Sequence, residues 1–329
     1  MKVCVVGVGA IGGMIGFGLG AAGCELSGLA RGPTLRALRE RGLRFTDGGP
    51  ESSVPIHASE SPEELGIQDL VVLAVKAPAL PSAAARISPL LGSETIVMPA
   101  MNGIPWWFFQ GFGGSLEGKR LSSIDPGGEI ESAIPASSIL GCVVHMGASC
   151  PEPGLVRALK LRTLIIGEPS GEMSPRLAET AELLGRAGFE AKASSCIQKD
   201  IWYKLWGNMT MNPLSALTGA TMDLILGDPL VEEFCKRIMV EARDLGARIG
   251  CEISQSVEDR LAISRTLGAF KTSMLQDLEA GKPLELDALV GAVAEIGDLA
   301  GMDTPYIDTL LGLARLKARI LGLYPAENA

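Results

Sequence analysis

The sequence predicts an α/β domain over residues 1–195, followed by an all-helical domain over residues 196–329. A strand, a glycine-rich turn and a helix open the chain, and further β-rich runs alternate with helical segments up to about Ser195. Beyond that residue, apolar side chains recur only with helical spacing. The chain has 329 residues, which is more than one ordinary core and fits two domains.

Composition narrows the function classes. With 47% apolar and 20% charged residues the chain is globular, and a net charge of −9 without a basic cluster argues against a nucleic-acid partner. The seven cysteines are scattered and form no CxxC pair, which favours thiols in a reducing cytoplasm over disulfides or a metal site. His57, in a Pro- and Ser-rich loop, and His145, in an apolar strand-like run, are the only histidines. Acid–base chemistry is therefore expected from Lys, Asp, Glu or Tyr.

The first 23 residues resemble a signal peptide in hydropathy, but their glycines indicate a different role, and no membrane partner is expected. Lys2–Val6 reads as a strand, and residues 7–12, GVGAIG, form a GxGxxG turn before an apolar helix. Gly7 permits the tight turn, Gly9 lets a pyrophosphate approach the backbone, and Gly12 lets helix and strand pack closely. The pattern predicts a Rossmann-type dinucleotide-binding domain. The candidate cofactor contacts in the turn are Gly7, Gly9, Ala10, Ile11 and Gly12.

The end of the second strand predicts NADP as the cofactor. NAD enzymes usually carry an acid there for the ribose 2′-hydroxyl, whereas this chain has Arg31 after a strand over residues 24–30. A guanidinium at that place would attract a 2′-phosphate. Lys76 and Asn102 follow two further strand-like runs, over residues 69–75 and 95–98. Because ligands bind beyond the carboxyl ends of parallel strands, both are candidate site residues, although Asn102-Gly103 taken alone is more often just a turn.

The remainder of the first domain is less regular. Residues 110–138 are rich in Gly, Ser and Pro and are expected to form a long loop, either a lid or a mobile surface loop. Runs over residues 139–146 and 162–167 are expected to complete the sheet, before a helix over residues 174–187 and a short strand over residues 190–194. The four aromatic residues 106–109 could either shape the site or pack beneath the loop.

In the helical domain, Lys204, Asn208 and Asn212 recur every four residues and form one polar stripe on a predicted helix. A lysine and two carboxamides suit a small anionic substrate, and the alternative is a solvated helix face. The domain boundary places Lys204 where it is expected to face the nucleotide. Ser273 lies on a further helix, and Glu285 is expected in the first turn of the next one, as a capping acid or as a partner for the lysine.

Together these motifs resemble the ketopantoate reductase (2-dehydropantoate 2-reductase) family over most of the chain. The resemblance rests on GVGAIGG at the N-terminus, Arg31, LAVKA around Lys76, MNG at Asn102, KLWGNMTMNPLSALTG from Lys204, SMLQD from Ser273 and ELD at Glu285. It implies that Lys204 is the general acid. It implies also that Glu285, Asn208 and Asn212 contact substrate, that Ser273 lies by the substrate carboxylate, and that Asn102 and Lys76 lie beside cofactor or substrate.

The implied activity is the reduction of 2-dehydropantoate to (R)-pantoate by NADPH, on the route to pantothenate and coenzyme A. The bulky residues 106–109 and the long stretch 110–138 depart from the family pattern, so a reductase of another 2-oxo acid is the alternative. A non-catalytic NADP-binding regulatory protein is a second alternative, which the intact polar set argues against. The sequence leaves the oligomeric state open, and a homodimer formed through the helical domain is compatible with it.

Overall fold

The computed structural model describes residues 1–325, without the side chains of residues 159–161. The strands are β1 Lys2–Val6, β2 Glu25–Leu29, β3 Leu43–Thr46, β4 Ser52–Val54, β5 His57–Ser59, β6 Leu70–Leu73, β7 Ile96–Pro99, β8 Gly141–Glu152, β9 Leu155–Gly167 and β10 Glu190–Ala193. The helices are α1 Ala10–Ala21, α2 Gly32–Arg41, α3 Leu80–Ala84, α4 Glu129–Ala133, α5 Pro175–Arg186, α6 Ile197–Thr218, α7 Met222–Gly227, α8 Pro229–Arg248, α9 Val257–Arg265, α10 Ser273–Glu279, a π-helix Asp287–Gly291, α11 Ala292–Leu299 and α12 Pro305–Ile320.

The first sheet is parallel and has the strand order β5-β2-β1-β6-β7. Strands β1, β6 and β7 are apolar and almost wholly buried, as expected for strands covered on both faces. The predicted Rossmann-type sheet is therefore present. The expectation that His57 lies in a loop is wrong, because His57 begins the edge strand β5.

The sequence led us to expect that the later strands complete this sheet. They form a second sheet. Its order is β10-β9-β3-β4, and β8 pairs antiparallel with β9. β9 is 13 residues long, so its first part pairs with β3 and its last part with β10. The long strand β9 thus pairs with both β3 and β10, which are too short for the sequence to predict their pairing. His145 lies within β8, as predicted.

The glycine-rich helix α1 packs against both sheets. An added Cβ on Gly16 would lie 2.9 Å from Val5 of the first sheet, and one on Gly13 would lie 2.6 Å from Val156 of the second. Larger side chains at these positions would force the layers apart. The repeated glycines of α1 therefore serve close packing on two sides, in addition to the turn that precedes the helix.

The chain divides into two compact units. The α/β unit comprises Met1–Met101, Gln110–Phe112 and Gly127–Ile197, and the helical unit comprises Asn102–Phe109, Gly113–Pro126 and the chain from Gln198 onward. The predicted change from α/β to all-helical structure near residue 195 lies close to one crossing between the units, between Ile197 and Gln198. The sequence assigned residues 102–109 and 113–126 to the first domain, whereas they pack with the helices.

Candidate active site

The carboxyl ends of three parallel strands meet at the glycine turn of the α/β unit. The Gly7 N–H donates to the carbonyl of Leu29 at the end of β2 (3.5 Å), and the N–H of Ala74, just after β6, donates to the carbonyl of Val6 (2.8 Å). Gly7 has φ +94°, and a Cβ there would lie 2.7 Å from the Ala74 carbonyl oxygen. Only glycine fits this turn without strain.

The start of α1 has the properties of a phosphate-binding helix terminus. Gly9 is its N-cap residue, no side chain caps the first turn, and nothing lies within 4 Å of a Cβ added to Gly9. The N–H groups at the start of a helix need acceptors, and an open approach lets a pyrophosphate supply them. The residues present therefore fit a dinucleotide, with Ala10 and Ile11 as the first two residues of the helix.

Arg31 and Lys76 lie at the same edge of the sheet. Arg31 follows β2 as the N-cap residue of α2, and Lys76 lies three residues beyond β6; both side chains are exposed. Their strands flank β1, which leads into the glycine turn. The two cations predicted from the sequence to bind the cofactor thus follow the strands on either side of β1 and its glycine turn.

In the helical unit, the structure brings together Lys204 and Asn102. The Lys204 Nζ donates to the Asn102 Oδ1 at 2.7 Å, although the two residues are 102 positions apart in the chain. Both side chains are half-buried. A charge-assisted hydrogen bond of this length fixes the direction of a long, flexible ammonium.

Two tryptophans hold the helix that carries Lys204. The indole N–H groups of Trp202 and Trp206 donate to the carbonyls of Ala242 (3.1 Å) and Met239 (2.7 Å) on α8, and both rings are fully buried. Buried indoles that are hydrogen-bonded in this way fix the rotation of α6 about its axis. The stripe of Lys204, Asn208 and Asn212 is set by this packing.

The other predicted substrate contacts differ in burial. Asn208 is half-buried, Asn212 is 6% exposed, and Glu285 is 7% exposed. Ser273 is exposed at the first position of α10, where Thr272 accepts the capping bond from the Leu275 N–H (3.2 Å). A buried carboxylate and a buried carboxamide both require polar partners, which is typical of a functional site.

Glu285 lies just before a π-helix, not in the first turn of an α-helix as expected. Its carbonyl accepts from the Leu289 N–H (3.2 Å), and Asp287–Gly291 then forms the π-helical turn. The Ala288 carbonyl in this turn accepts from the Ile104 N–H at 2.8 Å. Short π-helical turns are frequent at functional sites, because they free backbone groups for other partners.

Gly103 allows this docking. It has φ +88°, and a Cβ there would lie 2.5 Å from the Ala288 carbonyl oxygen and 2.7 Å from the Ala288 Cβ. Asn102 is thereby anchored on both sides: its side chain to Lys204, and the backbone that follows it to the turn after Glu285. The sequence marked Asn102 and Glu285 separately, but it contained no signal that Ala288 joins them.

The aromatic residues 106–109 are all at most 2% exposed, which supports packing as their role. The ring centroids of Phe108 and Trp202 are 6.2 Å apart, so this segment packs against the helix that carries Lys204. Of the stretch 110–138, residues 129–133 form a short helix, and most of the remainder is irregular.

The uncapped glycine turn of the α/β unit is typical of an oxidoreductase with a nicotinamide nucleotide cofactor. The helical unit carries an oriented lysine, the half-buried Asn208 and the buried Asn212. Family profiles agree: "Ketopantoate reductase PanE/ApbA" matches residues 3–106, and "Ketopantoate reductase PanE/ApbA C terminal" matches residues 196–318. The chain belongs to the ketopantoate reductase family.

Individual proteins support this membership. A 2-dehydropantoate 2-reductase of Mesorhizobium japonicum is 44% identical over 325 residues, which cover 98% of this chain and 100% of that protein. The crystal structure of a provisionally assigned ketopantoate reductase from Ralstonia solanacearum MolK2 has a TM-score of 0.95 at 56% identity, covering 98% and 99% of the two chains. A ketopantoate reductase structure from Ralstonia eutropha JMP134 has a TM-score of 0.84 at 26% identity, covering 98% and 100%. The predicted family, fold class and enzyme class are confirmed.

Proposed function

We propose that the protein reduces 2-dehydropantoate to (R)-pantoate with NADPH, and that Lys204 is the general acid. The observation that carries the proposal is the 2.7 Å hydrogen bond from the Lys204 Nζ to the Asn102 Oδ1. It holds the only cation of the polar stripe in one direction, beside two amides on the same helix. The name shared by the M. japonicum relative and the family supports this choice of substrate.

When bound, NADPH would supply the hydride that reduces C2 of the 2-oxo acid. Negative charge then develops on the C2 oxygen, where an ammonium can stabilise it and afterwards donate a proton. Asn102 keeps its carbonyl oxygen on the Lys204 Nζ and adds no charge of its own. Lys204 would therefore be both the electrostatic stabiliser and the proton donor.

The neighbouring polar residues suit recognition of the rest of the substrate. Asn208 and Asn212 offer amide donors and acceptors on the Lys204 stripe, and Ser273 offers a hydroxyl to a carboxylate. Glu285 would accept a hydrogen bond from the 4-hydroxyl of 2-dehydropantoate, since an ionised carboxyl can only accept. A 2-oxo acid without that hydroxyl would leave this buried carboxylate without the bond.

We propose NADPH over NADH because Arg31 stands where an acid would bind the 2′-hydroxyl. Arg36 on the first turns of α2 is likewise exposed, so the edge is cationic where a 2′-phosphate would lie. The Arg39 Nε, by contrast, donates to the Ala58 carbonyl at 2.9 Å, so its role is to join α2 to β5.

The test is NADPH consumption by the purified protein with 2-dehydropantoate, beside a panel of 2-oxo acids that lack the 4-hydroxyl. We expect kcat/KM to be highest for 2-dehydropantoate. A higher value for an acid without the hydroxyl would contradict the substrate assignment and retain the reaction type. NADPH binding without turnover of any 2-oxo acid would contradict both.

We propose further that the protein works in the cytoplasm, which its seven free thiols support. No helix among residues 1–325 is long and apolar enough to cross a membrane. The homodimer remains a prediction. Leu313, Leu316 and Ile320 form an exposed apolar row on α12 that would suit it, and size-exclusion chromatography with light scattering measures the state directly.

A further inference from the structure

Arg260, on α9, is a cation that no acid neutralises within the described part of the helical unit. Its Nη1 donates to the Tyr203 hydroxyl over a long 3.4 Å, its Cζ lies 4.9 Å from the Tyr203 ring centroid, and its Nε is buried without an acceptor. The adjacent carboxylate of Asp259 instead accepts from the Ser256 hydroxyl at 2.7 Å. A guanidinium in partial burial with weak partners is poorly compensated.

Several other arginines of the same unit are paired with carboxylates. Arg265, one and a half turns further along α9, donates to a carboxylate oxygen of Glu232 and to the Leu226 carbonyl. Arg243 on α8 pairs with Asp244 at 3.0 Å. Arg260 differs from these arginines because, among the described residues, it has neither a carboxylate nor an acceptor for its buried Nε.

That position adjoins the polar stripe of α6. A Cβ added to Gly207 would lie 2.9 Å from the Arg260 Nη2 and 3.3 Å from its Nε, so the guanidinium lies against the backbone of Gly207. Gly207 directly precedes Asn208 and follows Lys204 by three residues, which is about 60° around the helix axis from Lys204. A second cation therefore borders the stripe that carries the proposed acid.

The supporting contacts keep the guanidinium in place. Tyr203, on the turn of α6 before Gly207, donates its hydroxyl proton to the Gln255 Oε1 at 2.8 Å. The Tyr203 oxygen can therefore only accept from Arg260, and its ring provides the face on which the guanidinium packs. The absence of a side chain on Gly207 leaves the room for this packing.

We propose that Arg260 binds the carboxylate of the 2-oxo acid and so determines specificity for an acid over its ester or amide. The inference rests on the proposed function, because it assigns a role within the same site. A planar guanidinium is matched to a carboxylate, and the substrate anion would supply the charge that the protein does not. Lys204 would then remain available for the C2 oxygen.

The experiment compares Arg260→Met with Arg243→Met, which removes the same charge from a half-buried arginine of the same unit that is already paired with Asp244. We expect Arg260→Met to raise KM for 2-dehydropantoate about 10- to 100-fold, the loss typical of a charge-assisted hydrogen bond, while kcat and the KM for NADPH change little. Arg243→Met should leave all three constants unchanged. A KM for 2-dehydropantoate within about twofold of the wild-type value in a folded Arg260→Met protein would overturn the inference.

Gly207→Ala provides a second test that keeps the charge. The new methyl group would displace the Arg260 guanidinium, whereas alanine in a helix interior is favourable for stability. We expect Gly207→Ala to raise KM in the wild-type background and to have no further effect on Arg260→Met, since the two changes act through one contact. Equal effects in both backgrounds would show that Gly207 acts independently of Arg260 and would contradict the inference.

The wild-type assay separates this inference from the proposed function. A wild-type protein that fails to consume NADPH with 2-dehydropantoate contradicts the proposed function. A wild-type protein that turns over normally while Arg260→Met retains its KM contradicts only the role of Arg260.

Discussion

Replacing Lys204 by alanine tests the centre of the proposed mechanism. Loss of a general acid lowers kcat by about 10²- to 10⁴-fold, which at about 1.36 kcal/mol per decade is roughly 2.7 to 5.4 kcal/mol of transition-state stabilisation. The change also removes the 2.7 Å bond to the Asn102 Oδ1. Because Lys204 is only half-buried and alanine is the best helix former, α6 should remain folded around Trp202 and Trp206.

The assay is the initial rate of NADPH oxidation at saturating 2-dehydropantoate, with the circular dichroism of each variant as the measure of folding. Lys199→Ala is the matched control, because Lys199 is an exposed lysine on the same helix and lies outside the stripe. Asn102→Ala keeps the ammonium and removes the Asn102 Oδ1 acceptor, so we expect a smaller loss of kcat than in Lys204→Ala. If Lys204→Ala retained kcat within about threefold of the Lys199→Ala value, Lys204 would have no part in proton transfer.

Three further predictions concern the cofactor, the docking turn and acid stability. Arg31→Leu should raise the KM for NADPH about 10-fold or more and leave the KM for NADH almost unchanged, because only the 2′-phosphate contact is lost. Comparable KM values for NADPH and NADH in the wild-type protein would contradict the proposed preference for NADPH. Gly103→Ala should lower both kcat and the melting temperature, because the new Cβ would overlap the Ala288 carbonyl and the left-handed backbone costs about 1–2 kcal/mol for a non-glycine residue. A Gly103→Ala protein with the kcat of the wild type would refute the coupling of the π-helical turn to Asn102. Arg176→Met should destabilise the α/β unit by about 3 kcal/mol near neutral pH, since it leaves the buried Glu168 carboxylate without its 2.6 Å ion pair.

The Arg176 prediction also has a pH dependence. Burial alone would raise the pKa of the Glu168 carboxyl, but hydrogen bonds from Arg176 and Ser174 outweigh burial and lower it. A carboxyl whose pKa is lower in the folded state stabilises the protein above its ordinary pKa of about 4.5, and this contribution is lost as the pH falls through the folded-state value. The stability difference between wild type and Arg176→Met, measured by urea unfolding, should therefore shrink below about pH 4.5. A difference that stayed constant down to strongly acidic pH would refute the ion pair as its cause.

Local patterns were sufficient for much of the fold. Strand β1 and the turn that follows were predictable because β-branched residues and glycines at fixed offsets restrict the backbone within one segment. The helix expected over residues 174–187 corresponds to α5, Pro175–Arg186, because its boundaries depend on short-range chemistry such as the Ser174 N-cap before Pro175. The strands β3, β4 and β5 were missed because each has only three or four residues, so periodicity cannot identify them.

The sequence by itself determined the glycine turn, the arginine after the second strand and the Lys204, Asn208, Asn212 stripe, since each depends on spacing within one element. Tertiary structure alone decided which distant groups meet: Lys204 with Asn102, Ile104 with Ala288, and Arg260 with Gly207. The physical reason is that hydrogen bonds and packing act through space, so the partners of a side chain depend on how the rest of the chain folds around it. A spacing rule can show that a lysine and an asparagine are suited to one site, but only the packing of α6 and of residues 102–109 sets them 2.7 Å apart.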